Sequence, residues 1–483
     1  MKSNIRFPVI SLVAFLLLGC LFSCGKKQEP SDGIDTTVPD VTVEESGEPD
    51  FEYPYPDLDC NNETITIRGL SWLWDMYIFL DASNTGDKLD REIYERNIGI
   101  EKRFNCDIVV SEFLWNWDMD EYINNISNSL QANLDAWDVV YIPLNQRPDL
   151  ITMGYFQDLK TLNALQLDQP WWDTELNNTF ELQDSLYFAS SPLQLQAFDS
   201  AWAMFFNETL LKDRGMQSPR ELVASNEWTI EKLDELCAEG ANINSAPSFY
   251  YGDGKGDQIY GLSAHPLLPD KLLYAAGEQY VLKNSDGIPT FRADSETFSN
   301  MADQLAALLG QERNIRASYT DMVPYENGEF GETGGYVYIF VQDRAFFMGA
   351  EIKTSRVIKN YDADTVSYGI VPLPKQDSSQ ASYYTPVVET LLTMTIPVTC
   401  RKTEMVTQVI DAMAYESYAN VLPVYYDQLL YRGYTAEDEP IMEILRSSRG
   451  VDIAYYYGWV DTLAEKVRDS IFEGNGSISS VVD

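Results

Sequence analysis

Histidine is almost missing from this chain: His265 is the one histidine among 483 residues. A metal centre built on several imidazoles and a His-dependent catalytic triad are therefore excluded. His265 itself lies in Ala264-His265-Pro266, a loop-like stretch, and reads as structural. Cysteine is sparse, with six in total and no C-x-x-C pair, which argues against zinc-ribbon and thioredoxin-like readings. Basic residues are few, 34 Lys and Arg against 75 Asp and Glu. Nucleic acid is thus a poor partner, because phosphate binding relies on clustered cations. The acidity reads as a solvating surface. No G-x-S-x-G, H-E-x-x-H or phosphate-cradling glycine loop occurs, and no period of about 20–50 residues marks a solenoid or propeller.

Long apolar runs are lacking too. The one near the start, Phe7 to Phe22, is short for a membrane span of roughly 20 residues, and Pro8 interrupts it. Lys2 and Arg6 precede it and small Ser23 follows, which is the order of a secretory signal peptide. Leu21-Phe22-Ser23-Cys24 resembles a bacterial lipobox, in which the cysteine thiol takes lipid such as palmitate and becomes the N-terminus. Leu17-Leu18-Gly19-Cys20 competes with it, but Gly25-Lys26-Lys27 give Cys24 the polar exit from the membrane. The signal is therefore expected at 1–23, with Cys24 as the lipid attachment. Residues 24–62 follow as a disordered acidic linker holding Pro30, Pro39, Pro49, Pro54 and Pro56. Such a segment buries too little apolar surface to offset its ordering entropy. Tyr53 and Tyr55 near its end are candidates to dock on the body. Cys60, Cys106, Cys237 and Cys400 then remain with every pairing open, and buried free thiols are the plainer reading of Cys106 and Cys400.

The remainder is too long for a single core of at most ~250–300 residues, so two domains are expected. A strand at Thr64–Leu70, a helix at Asp90–Phe104 and a strand at Asp107–Ser111 open it. A helix with Ile123, Ile126, Leu130 and Leu134 on one stripe follows, then a strand at Trp137–Ile142. That alternation predicts an α/β lobe with a mostly parallel sheet. In such sheets ligands sit beyond the carboxyl ends of the strands. The rule points to Trp72, Trp74 and Asp75 after the first strand, Trp115, Trp117 and Asp118 after the second, and Tyr141 in the third. Farther on, Ser200–Phe206, Val337–Val341, Arg344–Met348, Ser367–Pro374 and Leu391–Ile396 read as strands. Glu208–Arg214 reads as a helix capped by Asn207 and stopped by Gly215. Ser295–Leu309, Glu404–Tyr418 and Gly458–Phe472 read as helices.

Several fragments occur in a telling order: Pro170-Trp171-Trp172-Asp173, Leu186-Tyr187-Phe188-Ala189, Phe205-Phe206-Asn207, Glu227-Trp228-Thr229-Ile230, Ile259-Tyr260-Gly261-Leu262 and Tyr368-Gly369-Ile370-Val371-Pro372-Leu373-Pro374. The series resembles the extracellular solute-binding proteins of ABC importers, particularly the lipid-anchored, sugar-binding type. The resemblance implies two α/β lobes joined by a hinge, the periplasmic-binding-protein or Venus flytrap architecture. It also implies a carbohydrate, an oligosaccharide, held in the cleft and handed to the permease subunits in the membrane. No cofactor and no metal follow from it. Tyr250–Gln258 keeps Asp253 and Asp257 but lacks a calcium loop's alternating ligands and terminal Glu, and reads as a Gly-rich turn. Lobe 1 is expected at 63–195, lobe 2 at 196–360 and a return to lobe 1 at 361–415. Residues 416–483 are expected mainly in lobe 2, with closing helices.

Sugars offer hydroxyls and apolar C–H faces, so their sites pair flat aromatic rings with fixed polar groups. The two Trp-x-Trp-Asp segments suit this, and Trp202, Tyr384 and Trp459 are further cleft candidates. Trp171, Trp172 and Trp228 read as packing. A binder of peptides or other non-sugar solutes is the alternative. An exported glycoside hydrolase would need two carboxylates about 5–10 Å apart, one with a raised pKa; the reading here is a non-enzyme outside the cytoplasm, on the cell membrane. Mass spectrometry of the mature N-terminus should find lipid on Cys24, and Cys24→Ala should release the protein. Unchanged lipidation of that variant would move the anchor to Cys20.

Overall fold

In the first sheet, Glu63–Ser71 and Cys106–Leu114 run parallel in register, from Glu63 beside Cys106 to Ser71 beside Leu114. Val139–Pro143 joins the other side of Glu63–Ser71 in parallel, and Leu392–Thr395 closes that edge antiparallel. The computed structural model describes residues 53–71, 88–114, 119–143, 149–243, 248–249, 256–317, 322–324, 330–332, 334–358, 366–388, 390–429, 438–474 and 479–482. Parallel neighbours need crossover connections, and the helices Lys88–Phe104 and Met119–Gln131 lie in them. Ile93, Ile100 and Phe104 of one, and Tyr122, Ile123, Ile126 and Leu130 of the other, are buried at helical spacing. Leu134 was expected to extend that stripe but is 54% exposed. Asn133, at φ 53°, ends the helix in the left-handed conformation before Leu134 is reached.

The second sheet has the order Tyr368–Pro372, Trp202–Asn207, Ala345–Glu351, Tyr260–Ala264, Asn314–Arg316. Trp202–Asn207 is antiparallel to both its neighbours and buried along its whole length, as an apolar central strand should be. Its last residue turns the chain. The Asn207 side chain accepts from Leu210 N–H at 2.9 Å, and Gly215 at φ 65° ends the short helix that follows. The expected strand at Val337–Val341 is instead a helix, Gly335–Val341. Periodicity cannot separate a short, wholly buried apolar run into strand or helix. Here Gly334 at φ 77° starts the turn, and Asp343 at φ 55° leads directly into Ala345–Glu351, leaving no partner edge for another strand.

The folded body begins before the expected linker boundary. Residues 53–483 form one unit, and residues 53–60 strap onto the first lobe. Tyr53 stacks on Tyr415 with ring centroids 4.7 Å apart, and Arg103 lies 3.8 Å over the Tyr55 ring. Beneath them is Asp411, fully buried. Its carboxylate accepts from Tyr53 Oη (2.7 Å), Trp172 Nε1 (2.7 Å), Trp171 Nε1 (3.2 Å), and the backbone and side-chain nitrogens of Gln166 (2.9 and 3.0 Å). Trp171 and Trp172 are thus packing residues. So is Trp228, whose indole donates to the Pro372 carbonyl at 2.7 Å.

The described segments change lobe three times: after Ala189, after Pro372, and from the helix Leu422–Leu429 to the helix Glu439–Ser447. The return to the first lobe is later than 361, because Tyr368–Pro372 still pairs with Trp202–Asn207. The opening of the last segment also differs from expectation, since the helix Leu422–Leu429 packs on Lys88–Phe104 of the first lobe. Truncating Asp411 to Ala strands buried donors and should destabilise the body by roughly 3–5 kcal/mol. Urea denaturation measures it, and a loss below about 1 kcal/mol would remove Asp411 from the framework of the lobe.

Candidate functional site

Three chain segments lie side by side between the lobes. Residues 191–201 are buried throughout. Thr385–Pro386 runs parallel to Arg449–Gly450, with Val387 N–H on the Gly450 carbonyl at 2.9 Å. Gly450 is required here: a Cβ at that position would lie 2.0 Å from the Tyr274 hydroxyl. Asp199, in the first segment, is bonded to both lobes. Tyr425 of the first-lobe helix donates to Oδ1 at 2.5 Å, Arg356 of the second lobe pairs with Oδ2, and Lys353 N–H donates to the Asp199 carbonyl at 2.9 Å. Arg449 pairs with Asp173 of the first lobe at 2.8 Å and lies 3.8 Å over the Phe198 ring.

Above these segments, the edge of the second sheet carries an aromatic cluster. Trp202 meets His265 edge-on with centroids 5.1 Å apart, and His265 meets Tyr336 at 4.9 Å. Lys271 Nζ lies 5.7 Å from the Trp202 ring and 6.0 Å from Tyr455. Burial, with Lys271 and Lys353 nearby, pushes His265 down to about 3, so its imidazole is neutral. Its Nδ1 accepts from Leu267 N–H at 3.0 Å. The buried Trp202 indole N–H has no hydrogen-bond partner among the described residues. An apolar ring with an unspent donor, beside a neutral imidazole and a cation, can stack on and hydrogen-bond a polar ligand.

No family model and no curated protein matches the chain. Solved structures do. The chain resembles the sugar-binding protein MalE of Xanthomonas citri (TM-score 0.56, 11% identity), over 87% of this chain and 94% of that one. A sugar transporter of Rhizobium etli in an open conformation gives TM-score 0.56 at 12% identity, over 87% and 97%. An ABC substrate-binding protein of Listeria monocytogenes in complex with cycloalternan gives 0.50 at 12%, over 87% and 96%. The fold is that of the two-lobe ABC solute-binding proteins.

In this solute-binding fold the expected site residues fall into three groups. Trp72, Trp74, Asp75, Trp115, Trp117 and Asp118 lie outside the described residues, as does Cys24. The strands that precede them end side by side, Ser71 against Leu114. Tyr141 is buried within Val139–Pro143, close to the Arg96 charge of the covering helix Lys88–Phe104. Trp202 stands at the crossing as described. Tyr384, 41% exposed, directly precedes the Thr385–Pro386 strand, and Trp459, 48% exposed, stacks on Tyr457 at 5.1 Å. His265, Lys271, Tyr336 and Asp199, which the sequence did not point to, lie at this candidate site. The carboxyl-end rule applied to the second lobe would have found His265, which follows Tyr260–Ala264 directly.

Asp452, just past the Arg449–Gly450 strand, ties this region to the second lobe. It accepts from Ala454 N–H at 2.9 Å and Tyr280 N–H at 2.5 Å, while the Tyr280 hydroxyl donates to Asp270 at 3.1 Å. Burial, reinforced by Asp270, raises Asp452 to about 7 against the pull of its backbone donors. Between about pH 4 and 7 the folded chain thus holds a proton that the unfolded chain has lost, so this group's contribution to stability falls as pH rises, then levels off. Asp452→Asn should remove that decline, on the order of 3 kcal/mol between about pH 5 and about pH 8. Urea midpoints of both proteins at the two pH values measure it. Equal pH dependence in the two would refute it.

Proposed function

We propose that this chain is the extracytoplasmic, lipid-anchored binding component of an ABC importer, capturing a carbohydrate between its lobes and passing it to permease subunits. The observation that carries the reading is the pairing of two α/β lobes, linked by three crossings, with an aromatic cluster at the crossing. The similar proteins include a sugar-binding MalE and a protein in complex with cycloalternan, which supports an oligosaccharide. In this reading Trp72, Trp74, Trp115 and Trp117 supply stacking rings from the first lobe, Asp75 and Asp118 supply acceptors, and Trp202 adds a ring from the second. Tyr384 and Trp459 line the approach. The lobes close as a hinge, biased by a ligand that touches both. Turnover has no support among the buried carboxylates at the crossing. Asp199, Asp270 and Asp452 each hold Arg, Tyr or backbone N–H groups of the protein itself. Cys24 carries the lipid that keeps the body at the membrane.

A thermal-shift panel of oligosaccharides, monosaccharides and peptides on the purified protein tests this. An oligosaccharide at about 100 times its Kd should add roughly 2.7 kcal/mol of stability and be recovered unchanged. Trp72→Ala and Trp74→Ala should each weaken binding about thirtyfold, roughly 2 kcal/mol, without lowering the melting point of the free protein. Stabilisation by peptides alone would establish the alternative binder, and release of shorter sugars would establish a hydrolase.

A further inference from the structure

We propose that Cys60 and Cys106 are joined by a disulfide in the mature protein, a covalent bolt between the N-terminal strap and the second strand of the first sheet. Cys60 ends the strap and is 2% exposed; Cys106 opens the strand Cys106–Leu114 and is 5% exposed. Backbone hydrogen bonds lash the two segments together here. Cys60 N–H donates to the Phe104 carbonyl and Asn62 N–H to the Asn105 carbonyl, each at 2.7 Å. Glu63 is already in register with Cys106. Asn61, Asn62 and Asn105 all take left-handed backbone conformations, so the chain turns tightly on both sides of the pair. Both are buried free thiols in this structure, close enough that each bears on the other's charge.

The other cysteines do not compete. Cys400 directs its thiol to Asp138 Oδ1 at 3.5 Å, and Cys237 is buried beneath Gly261 in the second lobe. A metal is not the alternative, since no group of three or more His, Cys, Asp or Glu side chains among the described residues could hold one. Nor are these reactive thiols. Burial raises both, Cys106 to about 12, so neither supplies thiolate once the body is folded. The bond must therefore form as the chain folds, while the thiols are still wet. The step balances as thiol–disulfide exchange. The two thiols of this chain become one S–S bond, and the disulfide of an exported oxidoreductase takes up their two electrons and two protons to become a dithiol.

The proposal rests on the export reading, because a cytoplasmic chain would be kept reduced. The closed loop contains the strand Glu63–Ser71, the Trp72–Trp74 segment and the helix Lys88–Phe104, so the bond restricts the unfolded chain over much of the first lobe. It lies at the amino ends of the parallel strands, away from the ligand edge, and ligand affinity should not depend on it.

The full chain, produced in a bacterium that processes lipoproteins, is alkylated without reductant, digested and mapped by mass spectrometry. One sample is taken directly from the membrane, and another after unfolding and refolding in a glutathione redox buffer. The expected result in both is a Cys60–Cys106 linked peptide, with Cys237 and Cys400 alkylated after unfolding. Reduction should lower the melting temperature of the wild type by a few degrees and leave that of Cys60→Ser unchanged, with equal sugar affinity in both. All four cysteines alkylated in the refolded sample, or either cysteine joined to Cys400, would overturn the pairing. A link in the refolded sample alone would instead overturn export and leave the pairing intact.

Discussion

A single buried carboxylate fixes how the two lobes share one chain. Asp199 lies on the first passage between the sheets and is bonded at once to Tyr425 of the first lobe and Arg356 of the second. Taking an anion and a cation out of water is costly, and only close geometry with further donors compensates it. The Tyr425 hydroxyl supplies such a donor to the carboxylate, and Lys353 N–H separately holds the Asp199 backbone carbonyl. The return passages are held to the first by Arg449 over Phe198 and by Val387 on Gly450. Any hinge movement of one lobe on the other would turn about these segments.

Charge is used in opposite ways inside and outside. The surface is strongly acidic, with a formal net charge of −41. The buried carboxylates are another population. Asp411 collects five hydrogen bonds from indoles, a phenol and an amide, and Asp270 is held by Arg468 and Tyr280. Each replaces lost hydration with fixed protein donors, as a buried anion requires. The aromatic cluster at the crossing is the reverse case: a neutral histidine, a lysine and a tryptophan whose donor is unspent.

Much of the first lobe was legible because its signals are local. Isoleucines at helical spacing gave the two crossover helices, and Asn207 caps the helix it was placed before. Legibility failed where distant contacts decide. The run Val337–Val341 is apolar throughout, so nothing within it distinguishes strand from helix; its glycine start and the sheet it covers make it helical. Tyr141 obeys the strand pattern, but the side of the sheet it faces depends on a helix far earlier in the chain. Asp411 stands in an ordinary helical stretch, and only folding brings Trp171, Trp172 and Tyr53 to it. The aromatic cluster of the second lobe joins residues 202, 265 and 336, a spacing that no local motif encodes.

The strap has a mechanical consequence. Tyr53 and Tyr55 are clamped to the first lobe alone, through Asp411, Tyr415, Arg103 and Glu416. A pull on the chain at residue 53 is therefore delivered to that lobe and not to the other.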